Sequence, residues 1–186
     1  MNGTGKLAAA LSVLGLAACG SMGSDDEPVP VAAPGYISAI AELRDAQGNY
    51  KGAARFTQLS NNSIRVRIDA ENLPAGAHGA HLHDIGVCAP PDFSSAGSHW
   101  NPTDADHGFD NPAGKHKGDL PNLLIGADGR GMLEYTIDRA SLGGEPYRLL
   151  DENGAAVVVH ARADDMRTDP AGDSGPPIAC GVIRPA

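Results

Sequence analysis

The chain has 186 residues and a formal net charge of −9, from 14 Lys and Arg against 23 Asp and Glu. Its length suits one domain with a core large enough to fold without a metal. Nucleic-acid binding needs a basic patch that displaces phosphate counterions, so the acidic balance argues against nucleic acid as a partner. An anionic substrate would need a local patch of positive charge to guide it to a site on this acidic surface.

The first 18 residues have the features of a signal peptide. Lys6 is followed by an apolar run at 7–18 that is too short to span a bilayer. The sequence Leu-Ala-Ala-Cys at 16–19 resembles a bacterial lipobox, which implies cleavage before Cys19 and lipidation of its thiol. An ordinary secretory signal cut after Ala18 is the alternative.

A lipidated Cys19 places the protein in the bacterial cell envelope, facing the periplasm. Gly20, rather than an aspartate, follows the cysteine and favours the outer membrane. Residues 20–34 combine turn formers and acidic residues without an apolar period, which is typical of a flexible tether. The predicted organisation is a signal peptide at 1–18, a lipidated tether at 19–34 and one domain at 35–186.

Short apolar runs separated by turn signals fill the chain from residue 36 onward. Within 63–70, Ile64, Val66 and Ile68 fall on one face and polar residues on the other, the pattern of a strand with one exposed face. Similar runs occupy 36–43, 53–59, 123–125, 132–137, 155–161 and 178–183. Many short strands at regular spacing predict an antiparallel sandwich or barrel. The strand-poor interval at 84–118 is too long for an ordinary connection, so we expect it to be functional.

Six of the seven histidines lie within residues 76–119. His81 and His83 are two residues apart, so on a strand they point to the same side and could bind one ion. Such a pair is weak evidence by itself, and His160, after three valines, would alone fit a core histidine. The complete set of candidate ligands is His81, His83, His99, His107, His116, Asp119 and His160.

The order of these residues resembles the ligand pattern of the copper–zinc superoxide dismutases. Residues 79–86 are similar to the family's first signature, 95–102 to its bridging-histidine segment and 179–183 to its C-terminal signature. The resemblance covers roughly residues 36–184. It implies an all-β fold, an eight-stranded antiparallel Greek-key β-barrel with long metal-binding loops. It also implies the family's activity, the dismutation of superoxide to oxygen and hydrogen peroxide.

The same resemblance implies two metal sites that share one histidine. Copper would be bound by His81, His83, His99 and His160, which are thus the predicted catalytic residues. Zinc would be bound by His99, His107, His116 and Asp119. Four imidazoles suit tetragonal Cu(II), and three histidines with one carboxylate suit a closed tetrahedral zinc site. In the implied cycle His99 takes up a proton in one half-reaction and donates it in the other.

Two further side chains lie near the implied ligands in the sequence. Asp164 occupies the family position of an aspartate that links the two metal sites, so the resemblance implies bonds to His81 and His107. A solvated loop acid is the alternative interpretation of Asp164. His78 falls outside the ligand pattern, and we expect it at the surface or in support of a ligand.

The resemblance also implies a disulfide between Cys88 and Cys180, which suits an exported protein. Relatives occur as monomers and dimers, so a monomer or a homodimer is expected.

One position departs from the family pattern. Where the family usually has an arginine over copper, this chain has Pro177, which offers neither charge nor side-chain donor. We expect superoxide capture to be slower by roughly one to two orders of magnitude. Arg162 is the candidate to replace that cation; Arg167, Lys115 and Lys117 are others. The competing hypotheses are a weakly catalytic or non-catalytic copper and zinc binder of the envelope, and a β-sandwich surface protein with structural metals.

Overall fold

The computed structural model describes residue 1 and residues 37–186. Residues 2–18 of the predicted signal peptide, the lipidated Cys19 and the tether at 20–34 lie outside the described residues.

Within the part of the chain that the structure describes, no helix is long and apolar enough to cross a membrane.

Strands make up nearly all of the regular structure, which confirms the all-β prediction. In chain order they are β1 (Ser38–Arg44), β2 (Tyr50–Leu59), β3 (Ser63–Ala70), β4 (Gly76–His78), β5 (Ala80–His83), β6 (Leu123–Ile125), β7 (Gly131–Asp138), β8 (Ala156–His160), β9 (Pro177–Val182) and β10 (Arg184–Pro185). One short 3₁₀ turn, Ser94–Ala96, interrupts the long loop after β5. Strand β2 begins at Tyr50, three residues before the prediction, because it already pairs there with Arg44 of β1.

Eight strands form one antiparallel sheet in the order β5-β8-β9-β1-β2-β3-β7, with β10 added to β1. A second, two-stranded sheet pairs β4 with β6. It connects the edges of the curled large sheet, because β4 continues into β5 after Gly79 and β6 contacts β7. The chain crosses between the edges after β3 and again after β7, as the predicted Greek-key order requires.

The core lies inside this curled sheet. Ile64, Val66 and Ile68 of β3 are fully buried, as their alternation predicts, and belong to one apolar cluster with Leu43 and Phe56. Burying each of these large apolar side chains contributes about 1.5–3 kcal/mol to the stability of the fold. The rigid sheet that results carries the ends of β5 and β8, where the candidate ligands begin.

The predicted disulfide between Cys88 and Cys180 is present, with the two Cα atoms 5.8 Å apart. It joins the start of the long loop to β9, and both cysteines pack with Phe93 and Val158 in a small apolar cluster. The bond closes a loop of about 90 residues, which in the chain-entropy account stabilises the fold by roughly 4 to 5 kcal/mol. The histidine-bearing loop is therefore fastened to the barrel at its first turn.

Candidate metal centre

Two paired strands and the long loop bring four imidazoles together. His81 and His83 lie on β5, which pairs antiparallel with β8, and His160 is the last residue of β8. His99 comes from the loop and is placed beside them by a bridge between its backbone and that of His83. Each of the four side chains offers one ring nitrogen, and these nitrogens all lie within 4.8 Å of one another. We call this group the first cluster.

The nitrogens that face each other in the first cluster have no protein partner. Among the described residues, the buried side-chain nitrogen and oxygen atoms without a hydrogen bond are His81 Nδ1, His83 Nε2, His99 Nε2 and His160 Nε2. Leaving one such group unpaired costs about 1–3 kcal/mol, so four of them converging in one place require an explanation. Four imidazole lone pairs directed at a common point fit a bound metal ion, and an all-nitrogen donor set suits copper.

The second nitrogen of each of three imidazoles is held by a hydrogen bond. His81 Nε2 donates to Asp164 at 2.7 Å, His83 Nδ1 to the Gly97 carbonyl at 2.9 Å and His160 Nδ1 to the Gly175 carbonyl at 2.8 Å. These bonds fix the tautomers and leave the other nitrogen free to bind a metal. Sequence reasoning did not find the two glycine carbonyls, because every residue has a carbonyl and only the path of the loop selects these.

A second cluster surrounds Asp119. The Nδ1 atoms of His99, His107 and His116 lie 3.0, 3.1 and 3.1 Å from Asp119 Oδ1, and the Nδ1 atoms of His99 and His116 lie 3.4 Å apart. The four ligands of tetrahedral zinc, with bonds near 2.0–2.1 Å, are about 3.3–3.4 Å apart. The other carboxylate oxygen, Oδ2, accepts 3.0 Å hydrogen bonds from the backbone N–H groups of Gly108 and His116. The spacing and the donor set of the second cluster therefore fit zinc.

His99 belongs to both clusters, since its Nε2 faces the first and its Nδ1 faces the second. His81 also lies within 4.8 Å of ligand atoms of the second cluster. Its Nδ1 is directed at the first cluster, however, and its Nε2 donates to Asp164. His116, at 3.1 Å from Asp119, is therefore the fourth member of the second cluster. One imidazole thus stands between two metal positions.

Asp164 connects the two clusters by a hydrogen bond to one histidine of each. It accepts hydrogen bonds from His81 at 2.7 Å and from His107 Nε2 at 3.0 Å, and its side chain is inaccessible to solvent. Its backbone is held by Asn122, which accepts from the Asp164 N–H at 2.8 Å and donates to the Asp164 carbonyl at 2.9 Å. The sequence offered no signal for Asn122, which lies 42 residues away.

The electrostatics of the first cluster favour neutral imidazoles. Burial, together with the neighbouring imidazoles, lowers the pKa of His81 to about 3 and that of His83 to about 3, and the hydrogen bond from His81 to Asp164 opposes this only in part. Burial also lowers the pKa of His160. These rings are therefore neutral at pH 7, which is the form that binds a metal.

The second cluster is dominated by its carboxylates. Burial opposes the charged form of His107, but Asp119 and Asp164 accept from its two nitrogens and raise its pKa to about 9. Burial likewise opposes ionised Asp119, yet hydrogen bonds from His107, His116 and His99 hold its pKa far below the usual range. The hydrogen bonds from His107 and His81 overcome burial in the same way and lower the pKa of Asp164. Before metal binds, His107 is thus an imidazolium between two carboxylates.

His78 supports the backbone of a first-cluster residue. It is buried, with Nδ1 2.8 Å from the His160 carbonyl oxygen and Nε2 2.9 Å from the Pro74 carbonyl oxygen. Its place is therefore beneath His160 and not at the surface. Pro177 lies directly opposite His160 in the pairing of β8 with β9.

The candidate cations differ in where they lie. The Arg162 guanidinium donates to the Asp173 carbonyl at 2.8 Å and packs against Gly175, where an added β-carbon would be 3.1 Å from Arg162 Cζ. Lys115 Nζ is 4.5 Å from the centre of the Phe109 ring.

Lys117 Nζ donates to the Asp138 carbonyl at 2.7 Å, and Arg167 is exposed. Only Arg162, among these four described cations, contacts a residue that holds a first-cluster imidazole.

Comparisons with known proteins agree with this geometry. The profile of the family described as copper/zinc superoxide dismutase matches residues 50–183. The chain is 37% identical over 180 residues to the superoxide dismutase-like protein YojM of Bacillus subtilis, covering 93% of this chain and 92% of that protein. It is 39% identical over 150 residues to superoxide dismutase [Cu-Zn] 2 of Aquifex aeolicus, covering 80% and 87%. A crystal structure of a SOD-like protein from Bacillus subtilis superposes with a TM-score of 0.73 at 39% identity, covering 77% and 96%.

Proposed function

Because this chain belongs to the copper/zinc superoxide dismutase family, we propose that it dismutates superoxide to oxygen and hydrogen peroxide. Its cofactors are copper and zinc. The observation that carries the proposal is the convergence of four unpaired imidazole nitrogens beside the second cluster. In this proposal copper is held by His81, His83, His99 and His160, and zinc by His99, His107, His116 and Asp119.

Copper, when bound, supplies the one-electron redox couple that dismutation requires. The protein contributes orientation and protons. In one half-reaction His99 would take up a proton at Nε2, the nitrogen without a protein partner, and in the other it would donate that proton, while its Nδ1 stays beside Asp119. Asp164 and the carbonyls of Gly97 and Gly175 hold the remaining rings in position.

Superoxide is an anion, so its capture by an acidic protein depends on a local cation. Pro177 supplies none, and Arg162 takes this role in our proposal, because its guanidinium packs against Gly175, whose carbonyl orients His160. The Arg162 guanidinium is held on the loop after β8 by its hydrogen bond to the Asp173 carbonyl, whereas the family's arginine is expected over copper. We therefore propose a rate reduced by roughly one to two orders of magnitude relative to a fully steered enzyme.

The proposed location is the bacterial cell envelope, with a lipid anchor on Cys19 and the domain facing the periplasm, at the outer membrane. The Leu-Ala-Ala-Cys motif at 16–19 and Gly20 support it. Cys19→Ser should remove fatty-acid labelling from the protein. Labelling that persists in that variant would refute the anchor.

The second candidate is an envelope protein that binds copper and zinc with little or no turnover. Pro177 favours it, because a copper site that lacks a guiding cation can keep its ligands and lose its rate. The Bacillus subtilis relative is named a superoxide dismutase-like protein, which is also compatible with this candidate.

The dismutation rate constant of the mature protein, with full copper and zinc occupancy, separates these candidates. A value within roughly two orders of magnitude of the diffusional ceiling, which lies at about 10⁸ to 10⁹ M⁻¹s⁻¹, supports a dismutase. A value no better than that of free copper supports metal binding without turnover. Arg162→Ala should lower the rate and flatten its salt dependence. Arg130→Ala, which removes an exposed charge on the turn before β7, is the matched control.

A further inference from the structure

A separate opening leads to the second cluster. It is a cavity of about 310 Å³ at the surface of the long loop. The side chains that decide its chemistry are three exposed carboxylates and two buried imidazoles: Asp104, Asp106 and Asp169, with His99 and His116. The cavity therefore joins solvent to two of the four proposed zinc ligands.

The two imidazoles are the only second-cluster members, among the described residues, that line this cavity. His116 is 6% exposed and His99 is 7% exposed, whereas His107 and Asp119 are fully buried. His116 Nε2 makes no hydrogen bond to any described residue and lies 4.0 Å from Asp169 Oδ1. A cation that moves into the cavity thus meets the edge of His116 before it reaches Asp119.

The charged side chains that line this cavity are all negative within the described residues. No lysine or arginine belongs to the described lining, and Asp104 and Asp106 form no ion pair within residues 37–186. Asp169 Oδ1 accepts a 2.8 Å hydrogen bond from the His107 backbone N–H, which ties this carboxylate to the cluster. A concave surface lined by one sign of charge raises the local concentration of the opposite ion. The cavity therefore attracts divalent cations and repels superoxide.

We propose that this cavity is the access port through which zinc reaches the second cluster. Asp104 and Asp106 attract the hydrated cation, and Asp169 passes it to His116. The inference rests on the zinc site of the proposed function but not on turnover at copper. The two sides of the metal centre then have opposite charges, with carboxylates at the zinc port and Arg162 beside the copper cluster.

The test is the rate at which metal-free protein takes up Co²⁺, a coloured substitute for zinc, in stopped-flow absorbance. In Asp104→Asn/Asp106→Asn the shape of the port is kept and two charges are removed. The association rate constant should fall about tenfold at low ionic strength, the scale of electrostatic steering in a charged cleft. The difference should disappear near 1 M salt, where the Debye length is about 3 Å.

Glu145→Gln/Glu152→Gln is the control pair. It removes the same charge from exposed carboxylates that do not line the cavity, so its rate should match that of the unsubstituted protein. Asp169→Asn is a second variant, in which the amide oxygen can still accept from His107; we expect about a threefold fall in rate. Circular dichroism and the same Zn²⁺ stoichiometry at saturation as the unsubstituted protein establish that each variant is folded.

Equal uptake rates in the Asp104→Asn/Asp106→Asn variant and the unsubstituted protein would overturn the proposal. So would equal slowing in the control pair, or slowing that high salt does not remove. Failure of the proposed function is recognised separately, since it would show as absent dismutation by fully loaded protein whose uptake of Co²⁺ still depends on these carboxylates and on salt.

Discussion

His107 donates a 3.0 Å hydrogen bond to Asp164, and solvent reaches neither side chain. The same carboxylate accepts from His81 at 2.7 Å. Since His81 belongs to the first cluster and His107 to the second, one aspartate orients a ligand of each proposed metal. Its removal should therefore affect both sites, although it binds neither metal directly.

Asp164→Asn should weaken both zinc and copper binding. An amide cannot accept at both positions, so at least one imidazole loses its orienting partner, and loss of such a partner typically lowers metal affinity about 10- to 100-fold. Competition with a chelator of known affinity measures the change. Asp165→Asn, an exposed neighbour, is the control and should keep its affinity. Unchanged affinity of Asp164→Asn would show that Asp164 is not needed to position the ligands.

Gly172→Ala should destabilise the protein and weaken the same bridge. Gly172 has φ +62°, and an added β-carbon would overlap the Asp164 carboxylate and approach His107 Nε2 to 2.8 Å. We expect a loss of about 1–3 kcal/mol in unfolding free energy from strain and overpacking. Gly48→Ala is the matched control, with φ +83° and open space around it. If both variants lose the same free energy, backbone conformation explains the effect and contact with Asp164 does not.

The thermal stability of the metal-free protein should be greatest near pH 6.5. His81 and His83 each have a pKa of about 3 in the folded protein and 6.5 in the unfolded chain. Their contribution to the free energy of unfolding is therefore fully present above pH 6.5 and is lost as the pH falls toward 3. His107 has a pKa of about 9, so its stabilisation is present below pH 6.5 and lost as the pH rises through 9. Calorimetry between pH 4 and 10 in a chelator tests this, and a melting temperature that rises steadily to pH 10 would contradict it.

When each metal is added alone to the metal-free protein at pH 7, zinc binding should release about one proton and copper binding almost none. His107 has a pKa of about 9 and must lose its proton to bind zinc, whereas His81 and His83, with a pKa of about 3 each, are already neutral. Titration calorimetry in buffers of different ionisation enthalpy counts the protons. Equal proton release by the two metals would mean that His107 is not the charged group of the metal-free centre.

Pro177→Arg should raise the dismutation rate constant. Position 177 lies opposite His160 at the start of β9, so a guanidinium there would bring a positive charge to the first cluster. We expect a gain of about tenfold at low ionic strength that shrinks as salt increases. Pro177→Gln, which has no charge, controls for loss of the proline. An equal gain with glutamine would assign the effect to the backbone.

The sequence alone determined the elements and the donor types. The alternation at Ile64, Val66 and Ile68 predicted a one-sided strand, because strand side chains alternate between faces whatever surrounds them. The order of the histidines and Asp119, by its resemblance to a known family, predicted the metals and the donor set. The pairing of Cys88 with Cys180 followed from the same resemblance and is present in the structure.

Only the tertiary structure decided which atoms face one another. The pairing of β5 with β8 brings His81 and His83 beside His160, and the loop path places the carbonyls of Gly97 and Gly175 behind the rings. The cavity lined by carboxylates likewise depends on how distant loop segments pack. A sequence specifies which donors exist and in what order, but distances between residues far apart in the chain are fixed by strand register and loop packing, and metal binding depends on those distances.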